Sequence, residues 1–159
     1  MKLFLVRHGE SVSTDNAEPT LSETGIRQTQ EVARFLKQCR VEIDEMIHSE
    51  KWRAQQTAQI MGQIAAPDLT LIPRTGLKPN DPIEPLLEEI AAFDRNVMVV
   101  SHLPFLEKLL ATLVMGSESS SPIELCGSCV VCLQGSGLSW QIAWVISPEL
   151  VRYLYPYHG

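Results

Sequence analysis

Short apolar runs alternate with longer amphipathic stretches from the N-terminus as far as Gly116. The apolar runs have the length of buried strands, and they cover residues 3–7, 45–48, 69–73 and 97–101. Between them, apolar residues recur at helical spacing, which predicts helices that end near Gln38 and Ala66, a helix over 83–93 and another that starts at Pro104. Such regular alternation of strand and helix is typical of a parallel sheet covered by helices.

The expected helix starts carry the residue types that cap helices, and the end of the chain has a different pattern. Ser22 and Ser49 are predicted N-caps, and Pro104 is predicted at the first helical position of its helix. Residues 123–133 and 138–145 read as two strands joined by a glycine-containing turn, with a short helix after them. The pattern therefore predicts an α/β fold with a mostly parallel central sheet and a C-terminal β-hairpin.

Length and composition fit one globular domain covering residues 1–159. The chain is 45% hydrophobic, and its 9 glycines and 10 prolines are spread along it. The apolar run that ends before Arg7 is too short for a signal peptide, and no run reaches the roughly 18 apolar residues expected of a membrane span. We expect a cytoplasmic protein that does not associate with membranes.

The charge of the chain argues against a nucleic-acid partner. The formal net charge is -6, the sequence pI is about 5.2, and no basic block stands out. Binding of nucleic acid requires a clustered basic face, which this chain lacks. Any anionic ligand must therefore be bound by a small local group of cationic residues.

The cysteines form a pattern that could be mistaken for a metal motif. Cys126, Cys129 and Cys132 have the spacing C-x2-C-x2-C, which some iron–sulfur proteins use, whereas Cys39 is far away in the sequence. Because residues 123–133 are predicted to be a strand, Cys126 and Cys132 would point to one face and Cys129 to the other. We therefore favour small buried thiols in a reducing compartment over a metal cluster.

Cationic side chains follow several of the predicted strands. Arg7 and His8 end the first strand, Arg53 lies in the first helical turn after the second, and His102 follows the fourth. Because the carboxyl ends of parallel strands share one edge of a sheet, we expect these side chains to converge beside helix N-termini. Planar guanidinium groups match the oxygens of a phosphoryl group, so the sequence predicts a phosphate-binding pocket at this edge.

Sequence motifs in this order resemble the histidine phosphatase superfamily, which also contains the cofactor-dependent phosphoglycerate mutases. The motifs are Arg7-His8-Gly9 after the first strand and the segments at residues 21–25, 49–57 and 99–104. The small size and the Ser-His-Leu-Pro segment are similar to the SixA-type phosphohistidine phosphatases. SixA-type sequences usually carry an arginine just before the motif at residues 21–25, whereas this chain has Ala-Glu-Pro-Thr at residues 17–20.

The resemblance implies a three-layer α/β/α sandwich and a double displacement without cofactor or metal. His8 is the implied nucleophile, and a neutral imidazole, with a reference pKa of about 6.5, is able to attack phosphorus in line. Arg7, Arg53 and His102 are the implied groups that neutralise the phosphoryl oxygens. Gly9 belongs to the same signature and is expected, with Arg7 and Arg53, to contact the substrate.

No residue stands out as the proton donor for the leaving group. Asp81 and Glu84 are weak candidates in a loop after the third predicted strand, and Glu88 and Glu89 lie close by. Alkoxide leaving groups need protonation far more than an imidazole does. The lack of a clear acid therefore favours protein phosphohistidine as the substrate over a phosphate monoester.

Other functions remain open at this point. A phosphatase of a small phosphate ester, a phosphoglycerate mutase-like transferase and a non-catalytic phosphate-binding protein would all use the same cationic pocket. The expected partner is accordingly a phosphohistidine-bearing protein or a small phosphate compound. Of the remaining histidines, His48 precedes Ser49 near the pocket, and His158 is expected to be exposed.

Overall fold

The computed structural model describes residues 1–156. Its strands are β1 (Lys2–Arg7), β2 (Ser11–Val12), β3 (Thr20–Leu21), β4 (Glu45–Ser49), β5 (Leu71–Arg74), β6 (Val97–Ser101), β7 (Val130–Ser136) and β8 (Ser139–Ile146). Its helices are α1 (Glu23–Gln38), α2 (Trp52–Ala65), α3 (Glu84–Ala91), α4 (Phe105–Met115) and α5 (Pro148–Leu154). His158 lies outside the described residues.

The central sheet has the strand order β5-β4-β6-β1-β7-β8. Strands β5, β4, β6 and β1 are parallel, whereas β7 runs antiparallel to β1 and β8 antiparallel to β7. The short strands β2 and β3 form a separate antiparallel ladder. The carboxyl ends of β1, β4 and β6 consequently lie side by side on one edge of the sheet, as predicted.

Helices cover both faces of the sheet, which makes three layers. Along β1, Leu3 and Leu5 belong to the hydrophobic cluster that contains buried residues of α3 and α4, whereas Phe4 and Val6 belong to the cluster with α1, α2 and α5. All four side chains are fully buried, as expected for a parallel strand covered on both sides. Burial of one such side chain stabilises the fold by about 1.5–3 kcal/mol. The predicted α/β/α fold with a C-terminal hairpin is confirmed.

Most helix boundaries agree with their sequence signals, but two predicted helix starts are wrong. The Ser22 side chain caps α1 by accepting a hydrogen bond from the Gly25 N–H. Ser49 instead ends strand β4, and the N-cap of α2 is Lys51. Pro104 is the N-cap of α4 rather than its first helical residue. In both cases the polypeptide leaves the sheet through a short turn before the helix starts.

The predicted strand over 123–133 is wrong in its first half. Strand β7 begins only at Val130, and the preceding residues form turns in which Ser128 has a φ of 61°. The alternating apolar residues Ile123 and Leu125 mimic a strand pattern, but they pack a loop against the core. Cys126 and Cys39 are exposed, so the expectation that all the thiols are buried holds only for Cys129 and Cys132.

Among residues 1–156, no helix combines the length and the hydropathy that a membrane span would need.

Candidate active site

The sheet edge formed by β1, β4 and β6 brings together three of the predicted site residues. The rings of His8 and His102 are 5.0 Å apart between centroids, at an angle of 56°. The Arg53 Nε, in the first turn of α2, lies 3.2 Å from the His8 Nε2. These residues are distant in the sequence, and they meet because each follows a parallel strand at its carboxyl end.

The tautomer of His8 is set by its hydrogen bonds. The Nδ1 atom lies 2.7 Å from the carbonyl oxygen of Gly9, which only accepts, so Nδ1 carries the proton. The Nε2 atom is then unprotonated and accepts the hydrogen bond from Arg53. Burial, together with the positive charges of Arg53 and Arg7, lowers the pKa of His8 from 6.5 to about 4, against the opposing effect of the Gly9 hydrogen bond. At neutral pH His8 is therefore a neutral imidazole with a lone pair on Nε2.

His102 is almost completely buried and is held by the end of β4. Its Nε2 lies 2.8 Å from the Ser49 Oγ, which also accepts a hydrogen bond from the Lys51 N–H. Its Nδ1 is buried and has no hydrogen-bond partner within residues 1–156. Burial, together with the neighbouring His8 and Arg53, lowers the pKa of His102 from 6.5 to about 3. His102 is thus neutral in the free protein.

Arg7 is oriented by the loop before β7. Its Nη1 donates to the carbonyl oxygen of Leu125 over 2.7 Å, while its buried Nε has no hydrogen-bond partner within the described residues. A buried N–H without a partner costs roughly 1–3 kcal/mol, so an anion that accepted from it would be favoured. The C-terminal part of the chain therefore positions a cation that belongs to the first strand.

Close packing requires a glycine at position 9. A Cβ atom at this position would lie 2.9 Å from the Thr29 Oγ1 and 3.0 Å from the Ser128 Oγ. The Gly9 N–H donates to the Thr57 Oγ1, whose hydroxyl in turn donates to the Arg53 carbonyl. Because the Gly9 N–H already donates to a residue of α2, this group is not free for the expected contact of Gly9 with a substrate.

Two residues of the site were missed by sequence reasoning. Ser49 was interpreted as a helix cap, although its place at the end of a parallel strand is the same signal that identified His8. Thr57 lies four residues after Arg53, on the same face of α2, and this spacing could have identified it. Both residues hold the predicted groups in position.

The weak acid candidates do not take part in these contacts within residues 1–156. The Asp81 carboxylate accepts from the Lys78 N–H within its own loop, and Glu84 is exposed in the first turn of α3. Within residues 1–156, neither carboxylate hydrogen bonds to His8 or His102. A different carboxylate, that of Glu18, accepts from the Trp52 N–H at the start of α2. Glu18 therefore caps the helix that carries Arg53.

Across residues 1–156, no group of three or more histidine, cysteine, aspartate and glutamate residues is arranged to hold a metal ion.

Comparison with known proteins gives a consistent family and fold. Residues 3–78 match the family model described as histidine phosphatase superfamily (branch 1). Phosphohistidine phosphatase SixA of Escherichia coli (strain K12) is 29% identical over 157 residues, covering 90% of this chain and 94% of that protein. A 2,3-bisphosphoglycerate-dependent phosphoglycerate mutase of Bartonella bacilliformis is 37% identical over 86 residues, covering 50% of this chain and 42% of the mutase.

Solved structures share the fold over nearly the whole chain. The protein histidine phosphatase SixA complexed with tungstate superimposes with a TM-score of 0.86 at 23% identity, covering 95% of this chain and 99% of that one. A SixA-type structure from Agrobacterium tumefaciens gives a TM-score of 0.79 at 21% identity, with coverage of 92% and 97%. At these identities the likeness establishes the common architecture.

Proposed function

We propose that the chain is a member of the histidine phosphatase superfamily and that it hydrolyses protein phosphohistidine through a phosphohistidine intermediate on His8. The family-model match at residues 3–78 and the similarity to a SixA phosphatase support phosphatase activity in general. The observation that carries the specific mechanism is the tautomer of His8. Its Nε2 is unprotonated and lies beside Arg53 and His102, where a phosphoryl group would be neutralised.

In the first step the His8 Nε2 attacks phosphorus in line. A bond forms between Nε2 and phosphorus, and the bond from phosphorus to the substrate nitrogen breaks, with its electron pair going to the departing imidazole. This imidazole leaves as a neutral molecule if its other ring nitrogen carries a proton. Such a leaving group needs no protein acid, which agrees with the lack of a hydrogen bond from Asp81 or Glu84 to His8 within residues 1–156.

The cationic groups act on the oxygens of the phosphoryl group. When the lone pair of His8 becomes the new bond to phosphorus, the Arg53 Nε–H would donate its hydrogen bond to an equatorial oxygen instead of to His8. Arg7 offers its buried Nε–H, and His102 offers Nδ1, which has no hydrogen-bond partner within residues 1–156. These groups are fixed before the reaction, so they stabilise developing charge without reorganisation. A bound phosphoryl dianion would raise the pKa of His102 and favour its protonated form.

In the second step water attacks phosphorus and His8 leaves. The bond between Nε2 and phosphorus breaks, inorganic phosphate is released, and the hydrogen bond from Nδ1 to the Gly9 carbonyl keeps His8 in the tautomer it needs for the next turnover. The same cations serve both steps, so the cycle requires no further group for charge stabilisation.

A mutase-like transferase is the weaker alternative. The similarity to the phosphoglycerate mutase covers only 50% of this chain and 42% of that protein. A mutase moves a phosphoryl group between alkoxide oxygens, which requires a proton donor near the leaving group. No carboxylate hydrogen bonds to His8 or His102 within residues 1–156, so the site fits a leaving imidazole better.

The proposal is tested with a protein that carries labelled phosphohistidine. We expect release of inorganic phosphate, a transient acid-labile label on this protein, and loss of both in His8→Ala. Phosphoserine in a peptide and phosphoglycerate with its bisphosphate serve as competing substrates. Faster hydrolysis of phosphoserine than of phosphohistidine would contradict the proposed substrate, and transfer without net release of phosphate would indicate a mutase.

A further inference from the structure

Two cysteines lie at the two ends of the turn that precedes β7. Cys126 is exposed, Cys129 is buried, and both are free thiols. The Cys129 N–H donates to the Cys126 carbonyl over 3.2 Å, which closes a four-residue turn. Such a turn brings its end Cα atoms within about 7 Å, close to the range of about 4.4–6.8 Å that a disulfide spans. The two thiol groups are close enough for each to shift the pKa of the other.

The other cysteines cannot compete for this pairing. Cys132 lies in β7, in the hydrophobic cluster on the opposite face of the sheet from the cluster that contains Cys129. Cys39 ends helix α1 and is exposed elsewhere on the protein. The geometry of the turn therefore pairs Cys126 with Cys129.

The two thiols differ in acidity, which makes Cys126 the thiol that reacts first and leaves Cys129 as the resolving thiol. The hydrogen bond from Cys129 lowers the pKa of Cys126 to about 7, helped by the positive charge of Arg7 and opposed by burial. The same hydrogen bond and burial raise the pKa of Cys129. At neutral pH an exposed Cys126 thus has substantial thiolate character next to a protonated thiol.

The turn is connected directly to the end of β1. The Ser128 N–H donates to the Arg7 carbonyl over 3.0 Å, the Arg7 N–H donates to the Cys129 carbonyl over 3.3 Å, and the Arg7 guanidinium donates to the Leu125 carbonyl over 2.7 Å. A Cβ atom on Gly127 would lie 3.0 Å from the Glu10 nitrogen, so the turn also touches the loop after His8. Any change in the shape of the turn therefore reaches Arg7.

We propose that Cys126 and Cys129 are a reversible redox pair, which a peroxide closes to a disulfide and which thereby slows phosphoryl transfer at His8. The Cys126 thiolate attacks one peroxide oxygen, the oxygen–oxygen bond breaks, and hydroxide leaves, giving a sulfenic acid. The Cys129 thiol then displaces water from this sulfur, forming the disulfide. Both sulfurs are oxidised by one equivalent of peroxide, and a dithiol reductant restores the thiols.

The effect on catalysis follows from the shorter separation of the sulfurs. A disulfide holds them about 2.05 Å apart, closer than any thiol hydrogen bond. Closing this gap pulls Cys126 towards the buried Cys129 and moves the adjacent Leu125 carbonyl, which orients Arg7. Misplacing a catalytic cation by about 1 Å costs up to a hundredfold in rate, so we expect the oxidised form to turn over about tenfold to a hundredfold more slowly.

The experiment treats the reduced full-length protein with one equivalent of hydrogen peroxide. Peptide mapping detects the disulfide. Turnover of an aryl phosphate and affinity for inorganic phosphate are measured before and after addition of dithiothreitol, and they report the state of the active site. We expect a Cys126–Cys129 cross-linked peptide, with turnover and phosphate affinity that fall together and recover on reduction. The variant Cys126→Ser should keep its activity after peroxide, and Cys39→Ser, which removes the other exposed thiol, should respond like the wild type.

Absence of the cross-linked peptide, or a cross-link that leaves both turnover and phosphate affinity unchanged, would overturn the proposal. Loss of activity in Cys126→Ser after peroxide would do the same, because the damage would then lie elsewhere. If the reduced wild type hydrolyses no phosphate compound, the proposed function fails. The cross-link and the change in phosphate affinity still test the redox pair in that case.

Discussion

The parallel part of the sheet and the segment before the C-terminal hairpin contribute to the site in different ways. Strands β1, β4 and β6 deliver side chains, namely Arg7, His8, Ser49 and His102, at one edge. The turn before β7 contributes backbone carbonyl and N–H groups, which orient Arg7 through Leu125 and Ser128. The family match at residues 3–78 covers the first region only in part and the second not at all. The proposed reacting side chains and the backbone groups that orient Arg7 thus come from different parts of the chain.

The largest effect should come from the first region. His8→Ala removes the proposed nucleophile, so we expect turnover of phosphohistidine or an aryl phosphate to fall at least about a thousandfold. The acid-labile label should disappear as well. Retention of label in His8→Ala would assign the nucleophile to another residue, and an unchanged circular dichroism spectrum would show that the variant is folded.

Arg53→Ala should have the next largest effect. Arg53 contacts the His8 Nε2, and removing one preorganised donor commonly costs about a hundredfold to a thousandfold in rate. Arg34, an exposed arginine in α1, supplies the matched control, because Arg34→Ala removes the same charge away from the site. Steady-state kinetics measures the turnover of both variants. Equal activity of Arg53→Ala and Arg34→Ala would contradict the proposed role of Arg53.

Gly127→Ala tests the second region without removing any chemical group. The new Cβ would lie 3.0 Å from the Glu10 backbone nitrogen. Only a shift of the backbone would relieve this close contact, and such a shift costs more than the movement of a side chain. We expect a loss of about 1–3 kcal/mol in the free energy of unfolding and about a tenfold loss in turnover, through Arg7 and the loop after His8. Urea unfolding and steady-state kinetics measure the two effects.

Gly62→Ala is the control for this variant. Its Cβ would approach only the end of the Leu71 side chain, and alanine favours a helix interior. We expect its turnover to be unchanged. If Gly127→Ala were as active as Gly62→Ala, the turn before β7 would have no influence on the site.

The difference between the two regions also explains what could be predicted from the sequence. His8, Arg53 and His102 were expected to converge because the carboxyl ends of parallel strands share an edge, a rule that requires only the order of strands and helices. The cap of α1 was equally local, since Ser22 and Gly25 are three residues apart. Features governed by such short-range or topological rules are visible in the pattern of residues.

The turn before β7 could not be predicted in this way. Its conformation depends on hydrogen bonds to Arg7, more than a hundred residues earlier, and on Ser128 in the left-handed region, which serine rarely adopts. The alternation of Ile123 and Leu125 satisfied the pattern of a strand, although these residues pack a loop. Long-range backbone contacts override local pattern here, and the role of Cys126 became visible only with the turn.

The last expected effect is a pH dependence of stability that belongs to the first region alone. The folded pKa values of His8 and His102, about 4 and about 3, lie below the unfolded value of 6.5. Between these values the unfolded chain binds more protons than the folded one, so stability is lost as the pH falls from about 6.5 towards 4. Above 6.5 both states are neutral at these groups, and the contribution is constant.

Urea unfolding at a series of pH values from 7.5 to about 4.5 measures this dependence. We expect His8→Asn and His102→Asn each to flatten the decline in the free energy of unfolding, because each removes one histidine whose pKa is lowered by folding. Gly127→Ala should be less stable at every pH while keeping the slope of the wild type, since its defect involves no titrating group. A changed slope in Gly127→Ala would mean that the turn controls the burial of the histidines as well as the position of Arg7.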